Sequence, residues 1–242
     1  MDLIRLEQLN VGQRLNDVSL NLAHGEMLGI IGPNGSGKST LLHCLAGILP
    51  YRGRVEFAGA NLAHLPSQTR AQKIAFVPQA SHSAWSLSVE DIVTLGRLPW
   101  ADEDAPAIAN AMAQTGVSEW RTRRVDTLSG GEQSRVWLAR VLAGQPLLLL
   151  ADEPVASLDL YYQQQVMQSL RGYAEDAQSV ILSIHDLALA ARYCDKLCLL
   201  NHGRIHAIGT PQQVLTEANI SAVFKVQARI DLTVTPALIV PR

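Results

Sequence analysis

GPNGSGKS, residues 32–39, follows the apolar run MLGII (27–31) and leads into a stretch from Lys38 to about Ala46 that reads as a helix closed by Gly47. The spacing satisfies GxxxxGK[ST] between a strand and a helix, the context in which a glycine-rich loop becomes a phosphate cradle. Glycines let successive backbone N–H groups face inward, the helix start adds partial positive charge, and Lys38 supplies a full one. Gly32, Pro33, Asn34, Gly35, Ser36, Gly37, Lys38, Ser39 and Thr40 are therefore expected to wrap the phosphates of a nucleotide, with the Ser39 hydroxyl offered to Mg²⁺. A merely structural turn would leave the lysine and the two hydroxyl residues behind it unexplained.

Working outward, a magnesium-bound nucleotide needs a carboxylate behind the metal, and LLLLADEP (147–154) delivers Asp152 where a buried-looking strand ends. Glu153 comes next, placed to act on the water facing the γ-phosphate as general base or as its orienting group. Two more polar residues stand at strand ends in the same manner. Gln79, after KIAFVP, is a candidate for touching Mg²⁺ or the attacking water, and His185, after SVILSI, for bonding the γ-phosphate. Each of these two, taken alone, reads first as an ordinary polar residue at a strand end; their order and spacing with the other motifs favour the functional reading.

A second stretch, LSGGEQ (128–133), also looks built for an anion, with a serine and two glycines ahead of a helix, yet no lysine follows it. It closes a region, from about Ala80 to Ala143, whose texture is helical. There Ser88 and Asp91 are spaced as a capping box, Val89, Ile92 and Val93 share a face, Pro106 stands where a helix begins and Gly116 where it stops. On either side the chain reads as strands: LIRLEQL, VSLNLA, VEFAG and KIAFVPQ before, LLLLA and SVILSI after. The last two are continuous apolar runs, the pattern of a parallel sheet covered on both faces. After Gly209, PQQVLTEA reads as a short helix and VQARIDLTV as an edge strand or hairpin, a packed tail rather than a separate domain.

Composition bounds the function. The chain has 242 residues, 48% hydrophobic and 17% charged, which suits one large α/β unit with two lobes. A net charge of −2 provides no global field to attract nucleic acid or an anionic membrane surface. Cys44, Cys194 and Cys198 lack CxxC spacing and read as buried side chains in a reducing compartment. The charged N-terminus is unlike a signal peptide, and no apolar run approaches the roughly 20 residues of a membrane helix, so a membrane role is expected to come through a partner. His43, His64 and His82 lack metal-ligand spacing, and His202 and His206 flank Gly203 in what reads as a solvated hairpin.

The phosphate loop, Gln79, LSGGE at 128–132, Asp152-Glu153, Ser157-Leu158-Asp159 and His185, in that order, resemble the ATP-binding cassette (ABC) family over about residues 2–210. The resemblance implies an α/β fold of the P-loop NTPase type, with a mixed-sheet core (about 1–79 and 144–210), an inserted helical subdomain (about 80–143) and a short tail (about 211–242). It further implies a dimer, expected to be of two copies, in which two ATP molecules with Mg²⁺ lie head to tail, each between one subunit's phosphate loop and the other's LSGGE. Ser129, Gly130 and Gly131 would then face the partner's γ-phosphate, and Asp159 would lie at the seam. Gln79 would serve both site and metal, and would report to the helical lobe.

Within that family, LSVEDIVTLGRLPW (87–100), the sequence around His185 and VLTEANISAVFKV (214–226) look like importers of iron chelates, haem and cobalamin. What this implies is a peripheral subunit on the cytoplasmic face of the inner membrane, beneath two multi-helix permease subunits and fed by a substrate-binding protein, with no nucleic acid involved. An exporter is the nearer alternative, and a soluble relative acting on DNA or ribosomes the more distant one. Two departures from the family pattern stand out. NVGQRL (10–15) lacks the aromatic that usually stacks on adenine, leaving Arg14 or Val11 to cover the base. The segment ADEDAPAI after Trp100 is short. Trp85 and Trp100 are read as packing residues first and as contacts to a membrane subunit second.

Overall fold

The computed structural model describes residues 2–79, 86–156, 158–175, 178–234 and 237–241. His82, Trp85 and Ser157 lie outside the described residues. The first half of the chain forms β1 (Asp2–Val11), β2 (Leu15–Ala23), β3 (Met27–Ile31), α1 (Lys38–Leu45), β4 (Arg52–Phe57), β5 (Ala60–Asn61), α2 (Ser67–Lys73) and β6 (Ile74–Val77). The helical stretch supplies α3 (Val89–Thr94), α4 (Ala105–Gln114) and α5 (Gly130–Ala143). Then come β7 (Leu148–Asp152), α6 (Leu160–Glu175), β8 (Ser179–Ser183), α7 (Leu187–Tyr193), β9 (Lys196–Asn201) and β10 (Arg204–Gly209). The tail is α8 (Pro211–Val214), α9 (Glu217–Phe224), β11 (Ala228–Asp231) and β12 (Leu238–Pro241).

A six-stranded sheet, order β10-β9-β3-β8-β7-β6, forms the wall between two cores. Its strands run parallel except β10, which pairs antiparallel with β9. All five residues of β3, β7 and β8 are buried, and successive side chains go to opposite sides because the strand period is two. Met27 and Ile31 of β3 join Leu149, Val180 and Leu182 in the core shared with α5 and α6. Leu28 and Ile30 join Leu148, Leu150 and Ile181 in the core shared with α1, β1, β2 and β4. Burial on both faces is why these strands read as unbroken apolar runs. Each such Leu or Ile contributes about 1.5–3 kcal/mol relative to exposure.

The strands before the phosphate loop divide between two sheets. β1, β2, β4 and β5 make a separate antiparallel sheet, order β2-β1-β4-β5, while β3 and β6 belong to the large one. β1 and β2 largely alternate buried with exposed residues, as strands with one wet face do, whereas β3 does not. Ser88 and Asp91 form the capping box on α3, with the Ser88 hydroxyl accepting from the Asp91 N–H at 3.1 Å and the Asp91 carboxylate accepting from the Ser88 N–H at 3.0 Å. α4 carries Pro106 in its first turn, and Gly116 follows its end at φ +65°.

Three local readings are corrected. Lys73 ends α2, so the strand expected over KIAFVPQ is only Ile74–Val77; α2 buries none of its residues, which removes the periodicity by which it would be found. PQQVLTEA is two helices, because Thr216 leaves helical geometry to cap α9 through the Asn219 N–H. The turn around Gly203 is docked rather than solvated: Gly203 is buried, its N–H donates to the Ser36 carbonyl at 3.0 Å, and its carbonyl accepts from Asn16 N–H at 2.8 Å. VQARIDLTV contributes β11, which pairs antiparallel with β12 in a closing hairpin. Cys44, Cys194 and Cys198 are buried free thiols, and burial pushes their pKa values up to about 11, 12 and 12.

Candidate functional site

The phosphate loop spans the end of β3 and the start of α1, and its shape is set by backbone contacts that only particular residues permit. Gly32 has φ +148°, and a Cβ there would stand 2.2 Å from the Leu200 carbonyl oxygen at the end of β9. That oxygen is held in the sheet and cannot yield, so Gly32 fixes where the loop leaves the strand. Gly32→Ala is expected to displace the loop and weaken ATP binding roughly tenfold or more, the equivalent of about 1.4 kcal/mol. Equilibrium binding of a fluorescent ATP analogue checks it; unchanged affinity would show that the loop can shift without cost.

α1 begins after Gly37, which caps it with no side-chain hydrogen bond. The first-turn N–H groups of Lys38, Ser39 and Thr40 therefore have no capping oxygen and sit at the mouth of a cavity of about 640 Å³. That cavity is lined by Asn34 to Thr40 together with Arg14, Gln79, Glu153 and His185. Lys38 is 6% exposed, and its ammonium donates to the carbonyls of Gly32 at 2.9 Å and Pro33 at 3.2 Å. Burial lowers its pKa, against the opposing pull of Glu153 and Asp152. The Ser36 hydroxyl is buried with no hydrogen-bond partner. A loop with spare N–H donors, an orphaned hydroxyl and a desolvated cation fits a polyanion such as a nucleotide triphosphate.

The other side of the cavity comes from the ends of three neighbouring parallel strands. β6 runs into Gln79, β7 into Asp152 and Glu153, and β8 into His185; the register pairs Val77 with Ala151 and Asp152 with Ser183. Glu153 turns the chain with φ +50°, a left-handed conformation uncommon for a residue with a side chain. Its carboxylate is held from both sides, accepting from Gln79 Nε2 at 2.7 Å and lying 2.5 Å from His185 Nε2. Asp152 sits beneath, 5% exposed and bonded to the Ser183 hydroxyl at 2.6 Å. Two residues far apart in sequence, Gln79 and His185, thus converge on one carboxylate that shares a cavity with the phosphate loop.

The LSGGE stretch lies elsewhere. Ser129 caps α5 in a capping box with Glu132: the Ser129 N–H donates to the Glu132 carboxylate at 2.8 Å, and the Glu132 N–H approaches the Ser129 hydroxyl at 3.4 Å. The bond from the Ser129 N–H, foremost, holds the Glu132 carboxyl below its usual range. Gly130 and Gly131 occupy the first turn of α5. Gly130 borders a neighbouring cavity of about 370 Å³ that also reaches Gln79 and Glu153, but Ser129 and Gly131 line neither cavity. Within one chain the structure does not bring this stretch to the phosphate loop. Asp159 lies ahead of α6, its carboxylate accepting from the Tyr162 N–H at 3.0 Å, with Leu160 and Tyr161 exposed beside it.

Of the two residues considered for the base, Arg14 lines the phosphate cavity and Val11 does not. Trp100 donates through its indole N–H to the Gly144 carbonyl at 2.9 Å and carries the Arg97 guanidinium 5.0 Å above its ring, so it is tied into the fold while 39% exposed. Ser183 was not visible as a functional residue in the sequence; a serine inside an apolar strand gives no signal of its own. Among the described residues no group of three or more His, Cys, Asp or Glu side chains is placed to hold a metal ion, and no helix is long and apolar enough to cross a membrane.

Comparison with known proteins agrees with this geometry. Residues 15–156 match the family described as ABC transporter. The chain is 45% identical over 233 residues to a hemin import ATP-binding protein of Pseudomonas entomophila, covering 92% of this chain and 89% of that one. It is 40% identical over 245 residues to a cobalamin import ATP-binding protein of Halobacterium salinarum, spanning 98% of this chain and 61% of that longer relative. Among solved structures, a chain of an ABC transporter described as metal-chelate type, in an inward-facing conformation, superposes with a TM-score of 0.87 at 26% identity, covering 100% of this chain and 98% of the other. The fold and these relatives agree with what the phosphate loop and LSGGE imply: the chain belongs to the ABC transporter family, as an ATP-hydrolysing subunit that works with membrane partners.

Proposed function

We propose that this chain is the motor of an importer for an iron chelate, haem or a corrinoid, and that two copies close head to tail around two ATP molecules. The Glu153 carboxylate, gripped by Gln79 and His185 opposite the phosphate loop, carries the catalytic part of this reading. The names of the relatives, hemin import at 45% and cobalamin import at 40% identity, support the cargo class.

Asn34 to Thr40 bind the β- and γ-phosphates, and Lys38 balances their charge from inside the loop. Glu153 accepts the proton of the attacking water, Gln79 and His185 hold its carboxylate on line, and ADP and phosphate leave. Ser39 and Asp152 are the donors that would hold Mg²⁺, with Gln79 at its edge; one buried carboxylate and one hydroxyl suit an ion that takes its remaining ligands from phosphate and water. When bound, that ion neutralises charge developing on the phosphates.

The LSGGE stretch is an anion site without a cation of its own, so the Lys38 of a second copy fits it. Ser129, Gly130 and Gly131 then meet the γ-phosphate held by that copy, and Asp159 with its exposed neighbours Leu160 and Tyr161 lies at the seam. Gln79 stands where the core (about 1–79 and 144–210) passes into the helical lobe (about 80–143), a position suited to coupling the site to a membrane subunit. The remaining partners are two multi-helix permease subunits in the inner membrane, with the chain on the cytoplasmic face and a substrate-binding protein on the other side.

The test is to tag the chain, express it at native level, solubilise membranes gently and identify what copurifies by mass spectrometry. Recovery of a multi-helix membrane protein is the expected result. Recovery of ribosomal or DNA-bound proteins alone would overturn the reading.

A further inference from the structure

Ser183 is fully buried at the C-terminal end of β8, among apolar neighbours, and its hydroxyl makes two bonds across the strand to the same pair of residues. It donates to Asp152 Oδ1 at 2.6 Å and accepts from the Glu153 N–H at 2.8 Å. The second bond falls where β7 leaves the sheet and Glu153 takes its left-handed turn at φ +50°. Such a turn is unfavourable at a residue with a side chain and persists where the surroundings over-determine it. One buried hydroxyl thus fixes both the aspartate's rotamer and the peptide that aims the glutamate at the cavity. Two residues further on, His185 of the same segment grips the other end of the glutamate.

We infer that Ser183 is a positioning residue for ATP hydrolysis, setting the Asp152-Glu153 turn so that the Glu153 carboxylate meets the attacking water. The inference rests on the reading of Glu153 as the hydrolytic carboxylate. Ser183 lines neither the phosphate cavity nor its neighbour, and it acts through the two residues it bonds. Removing its hydroxyl leaves the phosphate loop untouched, so nucleotide binding survives while the chemical step slows.

The same strand supplies a matched control. Ser179 is equally buried, at the far end of β8, and its hydroxyl also makes two bonds, accepting from the Gly25 N–H at 3.1 Å and donating to the Ala23 carbonyl at 3.0 Å. Ser179→Ala and Ser183→Ala delete the same atom from the same strand, so any general loosening of β8 appears in both.

The experiment measures kcat and KM for ATP in the complex purified with its membrane partners, ATP affinity by fluorescent-analogue titration, and thermal stability for each variant. The expected result is that Ser183→Ala lowers kcat tenfold or more, with ATP affinity within about threefold of wild type. Ser179→Ala should keep kcat within twofold while losing stability to a similar extent, and Ser183→Thr, which keeps the hydroxyl, should recover at least part of the lost rate. An unchanged kcat in Ser183→Ala, or an equal fall in Ser179→Ala, overturns the inference. Where Ser183→Ala does not fold, Ser183→Cys replaces it, filling the volume with a poor hydrogen-bonding group: a kcat down fivefold or more supports the inference and an unchanged one overturns it. A wild-type complex with no ATP turnover would refute the reading of Glu153 itself, a different outcome from either.

Discussion

Lys38→Ala is expected to abolish ATP turnover, lowering kcat/KM by a factor on the order of 10²–10³. The side chain is 6% exposed, held by two carbonyls of its own loop and drawn toward Asp152 and Glu153. Two separate losses follow from its removal. The phosphates lose the full positive charge inside the loop, and of the side chains lining the cavity only the exposed Arg14 remains as a fixed cation. The carboxylates Glu153 and Asp152 lose the nearby positive charge of the ammonium, which their own Coulombic influence reaches. Nucleotide titration measures the charge lost to the phosphates, and phosphate release from the purified complex measures the combined effect on turnover. Turnover persisting at the wild-type rate would mean that phosphate is released by some other protein or at some other site.

The second large effect is expected from Glu153→Gln, an exchange that keeps the side chain's shape and removes its basicity. A positioned general base contributes about 10²–10⁴ in rate, and kcat should fall within that range while ATP still binds. The amide can keep an acceptor oxygen for Gln79, so the loop and its N–H groups have no reason to move. Because hydrolysis is what separates the γ-phosphate from the rest of the nucleotide, its arrest should leave ATP holding two copies together. Size-exclusion chromatography with light scattering should then show a dimer with ATP and a monomer with ADP. A monomer under both conditions, also with the membrane partner present, would remove the support for the head-to-tail sandwich.

What the sequence disclosed and what it concealed follow from the range of the contacts involved. The β3–loop–α1 unit was legible because the residues that would cradle the phosphates lie within about twenty positions, and because Lys38, Ser39 and the glycines have no common purpose outside a phosphate site. Glu153 was legible as the end of an apolar strand. That Gln79 and His185 would grip the same carboxylate depends on the order β8-β7-β6, which brings together residues separated by more than a hundred positions. Local periodicity does not contain that order. The docking of Gly203 on Ser36 and the two bonds of Ser183 were concealed for the same reason. α2 was missed on other grounds: a helix that buries no side chain leaves no apolar stripe to find.

Fold class and family were carried by several motifs in fixed order, which is why they did not depend on the bounds of any one strand. The sequence marks β1 and β2 as strands without saying which sheet they join, and the structure puts them in the separate antiparallel one. Their alternating burial already distinguished them from β3, whose residues are buried without exception.

Coupled uptake joins ATP hydrolysis at Glu153 to movement of the cargo in one measurement. Proteoliposomes reconstituted with the complex recovered through the tagged chain, with the substrate-binding protein added on the opposite side, should accumulate haem, cobalamin or an iron chelate when ATP is on the side of this chain. Accumulation should cease with Glu153→Gln. Steady ATP hydrolysis with no movement of any of these cargoes, or uptake that continues unchanged in the Glu153→Gln complex, would contradict the account.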